Sequence, residues 1–546
     1  MASRREHRGG RQKRPGRAQR RARHERHVPR LAEPEIRLPT RAVEPETVVA
    51  HLGPTNSGKT HAALEFLAES GRGIFAAPLR MLAQEAHRKL SAQLGAERVG
   101  LITGEERVNE EAPIICCTAE MAPLRGEVLV LDEIQWAEDE ERGSAWTRLL
   151  LAGEYRHILL LGAVEALPLV QNAFPEAEIR FFERKAPLDW TGEVAFNALR
   201  PGTVVVAFSR RAVLALAGEL NRRHAGRVAV LYGAMPLASR RVEIDRFLNG
   251  EADFCASTDV LGHGVNLPCE TLLFAETTKF DGVERRDLHS WEIAQIAGRA
   301  GRFGLVERGH VGVLTGIVWA QAEAKIVESA LVPHIELPGG HFGYRVVDTA
   351  RIRPRLEDLP IENPAQLAAA LRAWHTAALR QWATEGWLSV ESIGPLLNRL
   401  DTVQRRLRER GRKLALEQTW KLVNAPVDED NLELLATLAL AVAGDRAQRP
   451  ILTYLLDTGR LRESSLEDAE QAARTASILR WFALQYPEVG GVTIEKAAAL
   501  EQAASDRVSA RLAAEVRSPT VGRCRSCGQS CAPWFPLCDR CFAGRR

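Results

Sequence analysis

The residues best equipped for chemistry lie in one run, Gly53-Pro54-Thr55-Asn56-Ser57-Gly58-Lys59-Thr60. Two glycines five apart, followed by lysine and threonine, have the spacing of a phosphate-binding loop. Glycines let successive backbone N–H groups turn inward onto phosphate oxygens. The lysine neutralises the β- and γ-phosphates, and the threonine hydroxyl holds Mg2+. A second element supplies carboxylates: Val128-Leu129-Val130-Leu131 is an apolar run that ends in Asp132-Glu133-Ile134-Gln135. An acid at the carboxyl end of a central strand faces the ligand crevice of an open α/β sheet. Asp132 is expected to hold the magnesium, usually through water. Glu133, one residue on, is expected to orient and deprotonate the attacking water.

Two further clusters extend this chemistry. Gln295, Arg299 and Arg302 are spaced i, i+4 and i+7, which on a helix places all three on one face. Two guanidiniums there suit a γ-phosphate with developing negative charge, the role called an arginine finger. Near the carboxyl end, Cys524, Cys527, Cys538 and Cys541 form two Cys-x2-Cys pairs ten residues apart. Four thiolates at that spacing match a tetrahedral Zn2+ site, with Cys531 a fifth candidate. Trp534 and Phe535, between the pairs, either pack this knuckle or stack on exposed bases. The remaining cysteines, Cys116, Cys117, Cys255 and Cys269, sit in apolar contexts and are expected in the core.

Those residues need an alternating scaffold to bring them together, and the sequence reads as one. Thr47–His51, Gly73–Ala77, Ile114–Thr118, Val128–Leu131 and Ile158–Leu161 are strand-like, with a helix-like stretch Ala62–Ala68 after the glycine loop. A hinge is expected in Arg184–Gly192, around Pro187. A second series follows: Thr203–Phe208, Val228–Leu231, Asp253–Ser257, Thr271–Phe274 and His310–Leu314. Two parallel-sheet α/β domains in tandem are the simplest solution. Prolines and glycines between Pro333 and Pro364 read as a linker, and Ala365 to about Val516 carries helical apolar spacing. The expected boundaries are a disordered basic arm at 1–40, domains at 41–186 and 187–331, a linker at 332–364, an all-helical domain at 365–518 and the small zinc module at 519–546.

The chain of 546 residues is 45% hydrophobic and 26% charged, which excludes a wholly disordered, collagenous or integral-membrane protein. Its net charge of +3 hides an asymmetry: residues 1–30 carry +10 and the rest −7. A basic arm on a mildly acidic body suggests an electrostatic tether to nucleic acid. The arm is poor in acids, as organellar transit peptides are, but it holds a single serine and frequent Gly and Pro, and no apolar signal segment. A reducing cytoplasm is the expected location.

The order of Gly53–Thr60, Pro78-Leu79-Arg80, Thr118-Ala119-Glu120, Asp132–Gln135, Phe208-Ser209-Arg210, Thr258-Asp259 and Gln295–Arg302 resembles a superfamily-two helicase. The spellings GPTNSGKT, LDEIQ and QIAGRAGRFG are similar to those of the Suv-three family, the ATP-dependent RNA helicase of the mitochondrial degradosome and its bacterial relatives. The resemblance is strong over about 47–330 and weaker in the helical region, at Trp420–Pro426. It implies two RecA-like domains, ATP as the nucleotide, and unwinding driven by its hydrolysis. Lys59, Thr60, Asp132, Glu133, Gln295, Arg299 and Arg302 would serve the nucleotide. Pro78, Arg80, Thr118, Ser209 and Thr258 would lie along the nucleic-acid strand, RNA being favoured over DNA. His263 departs from the family pattern, which usually has an apolar residue there. A DNA helicase of repair or recombination is the alternative enzyme. A nucleic-acid-binding regulator switched by nucleotide is the alternative outside it. No membrane is implied, and a protein partner, ribonuclease or other, is left unidentified.

Overall fold

Short β-branched and apolar runs, most of them buried on both faces, build two separate sheets in the computed structural model. It describes residues 38, 40–224, 227–261, 267, 269–280, 284–301, 308–317, 320–336, 347–382, 386–517, 522–531 and 541. The first sheet contains β1 (Thr47–Leu52), β2 (Gly73–Ala77), β3 (Val99–Ile102), β4 (Arg107–Val108), β5 (Ile114–Thr118), β6 (Arg125–Leu131), β7 (Glu154–Gly162) and β8 (Glu178–Phe181). Their order is β4-β3-β5-β2-β6-β7-β1-β8, and every pair is parallel except β3 with β4. The second sheet contains β9 (Leu188–Ala195), β10 (Thr203–Val206), β11 (Val228–Leu231), β12 (Phe254–Ser257), β13 (Thr271–Phe274) and, after the hairpin β14 (Thr278–Phe280) and β15 (Arg285–Asp287), β16 (Gly309–Thr315). Its order is β11-β12-β10-β13-β16-β9, with all pairs parallel. Parallel strands put all their carboxyl ends on one edge, where open α/β sheets bind ligands. The α/β expectation therefore matches the observed sheets, and a helical region follows them.

Three expectations need correction. The stretch 332–364 is not a bare linker where it is described. Ala350–Ile352 is a strand paired in parallel with Leu388–Val390, and Val347, Ala350, Ile352 and Leu359 are buried in the core of the first sheet. The prolines and glycines interrupt helix there without preventing apolar side chains from docking. The helical region likewise contains that second strand, and beside its own core around Val403, Leu422, Leu438, Leu479 and Phe482 it lends side chains to the cores of both sheets. Leu367, Leu371, Trp374 and Trp382 pack on the first sheet's side, whereas Leu466, Ala469, Val508 and Leu512 pack beneath the second. Finally, Arg184–Gly192 is not a free hinge. Its latter half is edge strand β9, and Arg184 is fixed by bonds described below.

Cys116, Cys117, Cys255 and Cys269 are buried core residues, as expected. Burial pushes the Cys269 thiol up to about 12, so it stays protonated. Among the described residues no helix is long and apolar enough to cross a membrane. All of the basic arm but Leu38 and Thr40, and His263, Arg302, Trp534, Phe535 and Cys538, lie outside the described residues.

Candidate functional site

The glycine loop leaves the carboxyl end of β1 and enters the helix Lys59–Ser70. Gly58 takes φ +90°, a left-handed conformation that side chains resist, and this turns the chain into the helix. Lys59 folds over the loop: its Nζ donates to Gly53 O at 2.6 Å, Pro54 O at 2.7 Å and Ser57 Oγ at 3.2 Å. Burial pushes the Lys59 ammonium below its ordinary value. Glu133 and Asp132 oppose that shift and Arg299 adds to it, so these four charges act on one another. Asp132 follows β6 and is buried. Burial first, and then the neighbouring Glu133, push its carboxyl up to about 8, while Lys59 pulls it down. Its main chain is pinned on both sides: its N–H donates to Ala76 O at 2.9 Å, and its carbonyl accepts the Trp146 indole N–H at 3.0 Å.

Glu133 is bent into a left-handed conformation, φ 51° and ψ 56°. Its N–H donates to Asp132 Oδ1 at 3.0 Å, and its carboxylate accepts the Gln135 amide. Gln135 in turn accepts Ala163 N–H at 3.3 Å, tying the Glu133 turn to the end of β7. The second α/β domain reaches this place through the turn after the helix Ser290–Ala297. Asn56 Nδ2 donates to Gly298 O at 2.8 Å and Gly301 O at 2.9 Å. Arg184 Nη1 bridges Thr55 O at 3.1 Å and Gly298 O at 2.8 Å, and Nη2 donates to Ala300 O. A Cβ on Gly298 would stand 2.0 Å from Thr55 Oγ1, so a larger residue there would push Thr55 aside.

The expected single helix face for Gln295, Arg299 and Arg302 is therefore corrected. The helix stops at Ala297, leaving Gln295 on its last turn and Arg299 in the following bend. Gly301, at φ +68°, cannot continue it, and the carbonyls of Gly298, Ala300 and Gly301 are taken by Asn56 and Arg184 instead. Arg299 nonetheless acts electrostatically on Lys59 and Asp132. Arg184 and Gln135 were not assigned roles by sequence reasoning. Gln135 stood inside the acid motif, but Arg184 is one arginine among many in an edge-strand tail and carries no spacing signal.

The strand candidates occupy the carboxyl edges of β2, β5, β10 and β12. Pro78, Thr118 and Thr258 are buried, so their side chains offer little surface. Arg80 is partly exposed at the start of the helix Arg80–Leu94. Ser209 is exposed, and its Oγ accepts Ala212 N–H at 3.0 Å at the start of the helix Arg210–His224. Farther along, the antiparallel pair Gly522–Arg523 and Ser530–Cys531 frames a tight turn. The sulfurs of Cys524, Cys527 and Cys541 converge within 4.8 Å of one another.

Residues 35–181 match the DEXQ-box helicase domain of Suv3, and residues 190–304 match the helicase conserved C-terminal domain. The Suv3 match thus falls on the first sheet and the helicase C-terminal match on the second. The mitochondrial ATP-dependent RNA helicase SUV3 of Saccharomyces paradoxus is 37% identical over 271 residues, covering 47% of this chain and 36% of that protein. The mitochondrial helicase DExH16 of Arabidopsis thaliana is 35% identical, covering 47% of this chain and 46% of its own. The SUV3L protein of Oryza sativa aligns more widely, at 28% identity over 87% of this chain and 64% of that one. The chain thus spans less than half the length of the first two relatives. A solved structure of Saccharomyces cerevisiae Dbp5 bound to RNA and ADP BeF3 aligns with 54% of this chain and 84% of its own at 17% identity, with a TM-score of 0.42. The Suv3-type relatives are named mitochondrial in yeasts, plants and a nematode, which overturns the cytoplasmic placement.

Proposed function

We propose that this chain is an ATP-dependent helicase acting on RNA, hydrolysing ATP where the glycine loop meets the Gly298–Gly301 turn. One observation carries the reading. Lys59, Asp132, Glu133 and Arg299, contributed by both α/β domains, are electrostatically coupled in one place, with the domains joined there through Asn56 and Arg184. A phosphate entering the loop takes Lys59 from the carbonyls of Gly53 and Pro54. Glu133, held by Gln135, receives a proton from the attacking water, and Arg299 opposes the charge that develops on the γ-phosphate. Thr60 and Asp132 would hold Mg2+, which would supply positive charge to the nucleotide's phosphates. Gln295 and Arg302 complete the expected set. Because the two domains share the site, a change in its contents biases their separation, and that motion is the basis for moving along a strand.

The strand is assigned to the carboxyl edges bearing Pro78, Arg80, Thr118, Ser209 and Thr258. The buried members act through main-chain groups, and Arg80 and Ser209 act through side chains. RNA is preferred because the Suv3-type relatives are named RNA helicases. The terminal thiols fit Zn2+: three lie within 4.8 Å of one another, and Cys538, or Cys531 in its place, would supply the fourth. Such a short segment gains its folding free energy from metal. The decisive experiment compares ATP hydrolysis and duplex unwinding with matched RNA and DNA strands. RNA-stimulated turnover with RNA unwinding is expected. Equal or greater stimulation by DNA would favour the DNA helicase, and nucleotide-dependent strand binding without turnover would favour the switch.

A further inference from the structure

Arg80, the one strand candidate in the first domain with an open side chain, is already engaged. Its Nη1 donates to the carboxylate of Glu105, in the turn between β3 and β4. That turn is rigid, because Thr103 Oγ1 accepts the N–H groups of Glu105 at 3.3 Å and Glu106 at 3.0 Å. Glu105 itself is buried, and its other oxygen accepts the Ser477 hydroxyl from the helix Leu466–Gln485. Burial raises its carboxyl above the ordinary range, while the Arg80 charge and the Ser477 bond lower it. Glu501 and Arg480, which pair with each other at 2.7 Å, act on it more weakly and with opposite signs.

The second domain brings another guanidinium to the same spot. Arg240, on the helix Leu237–Leu248, is pushed down to about 10 by burial and by the charge of Arg80. Its Nε is buried and has no hydrogen-bond partner among the described residues, while its Nη2 donates to Gly233 O. The next residue, Arg241, bonds Gln84 Oε1 at 2.7 Å, one turn beyond Arg80 on the opposing helix. Two guanidiniums from two domains thus act on each other across the cleft, where Arg241 bonds Gln84, and Arg80 alone of the two is paired with a carboxylate. Guanidiniums accept carboxylate and phosphate in the same forked geometry.

The helix that holds Glu105 also reaches the second domain. Glu470, two turns before Ser477 on that helix, accepts the Tyr232 hydroxyl and pairs with Arg210 at 3.3 Å. Arg210 directly follows the strand candidate Ser209. One helix is therefore bonded to Glu105, the partner of Arg80, in the first domain and to Tyr232 and Arg210, the neighbour of Ser209, in the second.

We propose that Arg80 and Arg240 form a phosphodiester site across the cleft, that Glu105 is the internal carboxylate a strand phosphate displaces from Arg80, and that Ser477 passes the displacement to the helix Leu466–Gln485. The proposal rests on the helicase reading and adds to it a named strand site and a linkage to the helical region. Freeing a buried carboxylate from its arginine is costly. The exchange therefore needs Arg240 as a second phosphate ligand, and a lone anion does not drive it. Glu105 and Ser477 are positioning residues, since neither touches the strand.

The test uses the full chain and a single-stranded RNA oligonucleotide, with binding measured over a range of salt. Arg240→Gln removes one phosphate contact. It should weaken binding about tenfold and reduce the slope of log affinity against log salt by about 0.7. Glu105→Gln keeps an acceptor for Ser477 but releases Arg80, so it should tighten binding several-fold. Ser477→Ala should lower the maximal RNA stimulation of ATP hydrolysis while leaving the half-saturating RNA concentration within about twofold, with Ser477→Thr restoring it. Thermal unfolding identifies any variant that fails to fold, and Arg240→Gln, at the cleft surface, is the safeguard. An unchanged affinity and salt slope in Arg240→Gln, or weaker binding in a folded Glu105→Gln, overturns the proposal. If the unsubstituted chain neither binds RNA nor hydrolyses ATP faster with it, the helicase reading fails first and takes the proposal with it.

Discussion

Glu133 occupies backbone space that a side-chain-bearing residue enters at a cost of about 1–3 kcal/mol, and such strain persists only where neighbours over-determine it. Here the neighbours are named: Asp132 Oδ1 on its N–H, Gln135 on its carboxylate, and Trp146 on the preceding carbonyl. This aims one carboxylate while its neighbour Asp132 stays buried. Glu133→Gln should preserve the turn and nucleotide affinity but cut turnover by about 10²–10⁴-fold, the usual loss of a general base. Lys59→Ala should instead raise the nucleotide dissociation constant. Equilibrium binding of a labelled ATP analogue, beside steady-state hydrolysis, separates the two. Hydrolysis by Glu133→Gln at the unsubstituted rate would remove the base assignment. At this scale the sequence was informative, because phosphate chemistry demands fixed residue types at fixed spacing around Lys59 and Glu133. It was silent on Arg184, four of whose five carbonyl acceptors come from segments distant in the chain.

The helix Ser290–Ala297 shows how an element is positioned and where periodicity misleads. Spacing alone extended it to Arg302, but tertiary bonds to the carbonyls of Gly298 and Gly301 ended it sooner. The interior strands β2, β5 and β10 were legible as apolar runs. The edge strands β4, β8 and β9 were not, because they are short or polar, whereas the fourth edge strand, β11, is a buried apolar run and was. What anchors the helix start is Glu292, buried beneath the hairpin β14–β15. Burial alone would raise its carboxyl. Hydrogen bonds from Arg286, Lys279 and the His289 N–H outweigh that and hold it at about 2. A depressed carboxyl contributes stability that is complete above its unfolded value of about 4.3 and is lost as pH falls towards the folded value. Glu292→Gln should therefore lower the denaturant midpoint at pH 7, and the gap from the unsubstituted chain should narrow between about pH 4.3 and 2. A gap independent of pH across that window would mean that packing, not charge, is what Glu292 supplies.

The largest-scale misreading concerns what holds the two α/β domains. Composition divides the chain at about residue 331, where sheet-like alternation gives way to Pro, Gly and then helical spacing. Side-chain packing divides it differently, because an apolar residue after a proline-rich stretch can bury itself against any face in reach, and sequence spacing does not say which. Val347, Ala350, Ile352, Leu367, Leu371 and Trp374 complete the core on one face of the first sheet, against Trp146, Leu149 and Leu150 of the helix Gly143–Ala152. Leu466, Ala469, Val508 and Leu512 do the same beneath the second sheet. Truncation at residue 331 removes those covering side chains and leaves Trp146, Leu149 and Leu150 in water at about 1.5–3 kcal/mol each, a loss comparable with the roughly 5–15 kcal/mol by which a domain is stable. A chain ending at residue 331 should therefore fail to give a soluble, cooperatively melting protein, although it retains every nucleotide-site residue. A chain ending at residue 517 retains both packed faces and should melt close to the full-length temperature while losing the terminal thiols. Soluble yield and calorimetry of the two truncations decide it. A cooperative transition in the shorter chain would show that the α/β pair stands alone and that the helical region is an attachment, not part of its core.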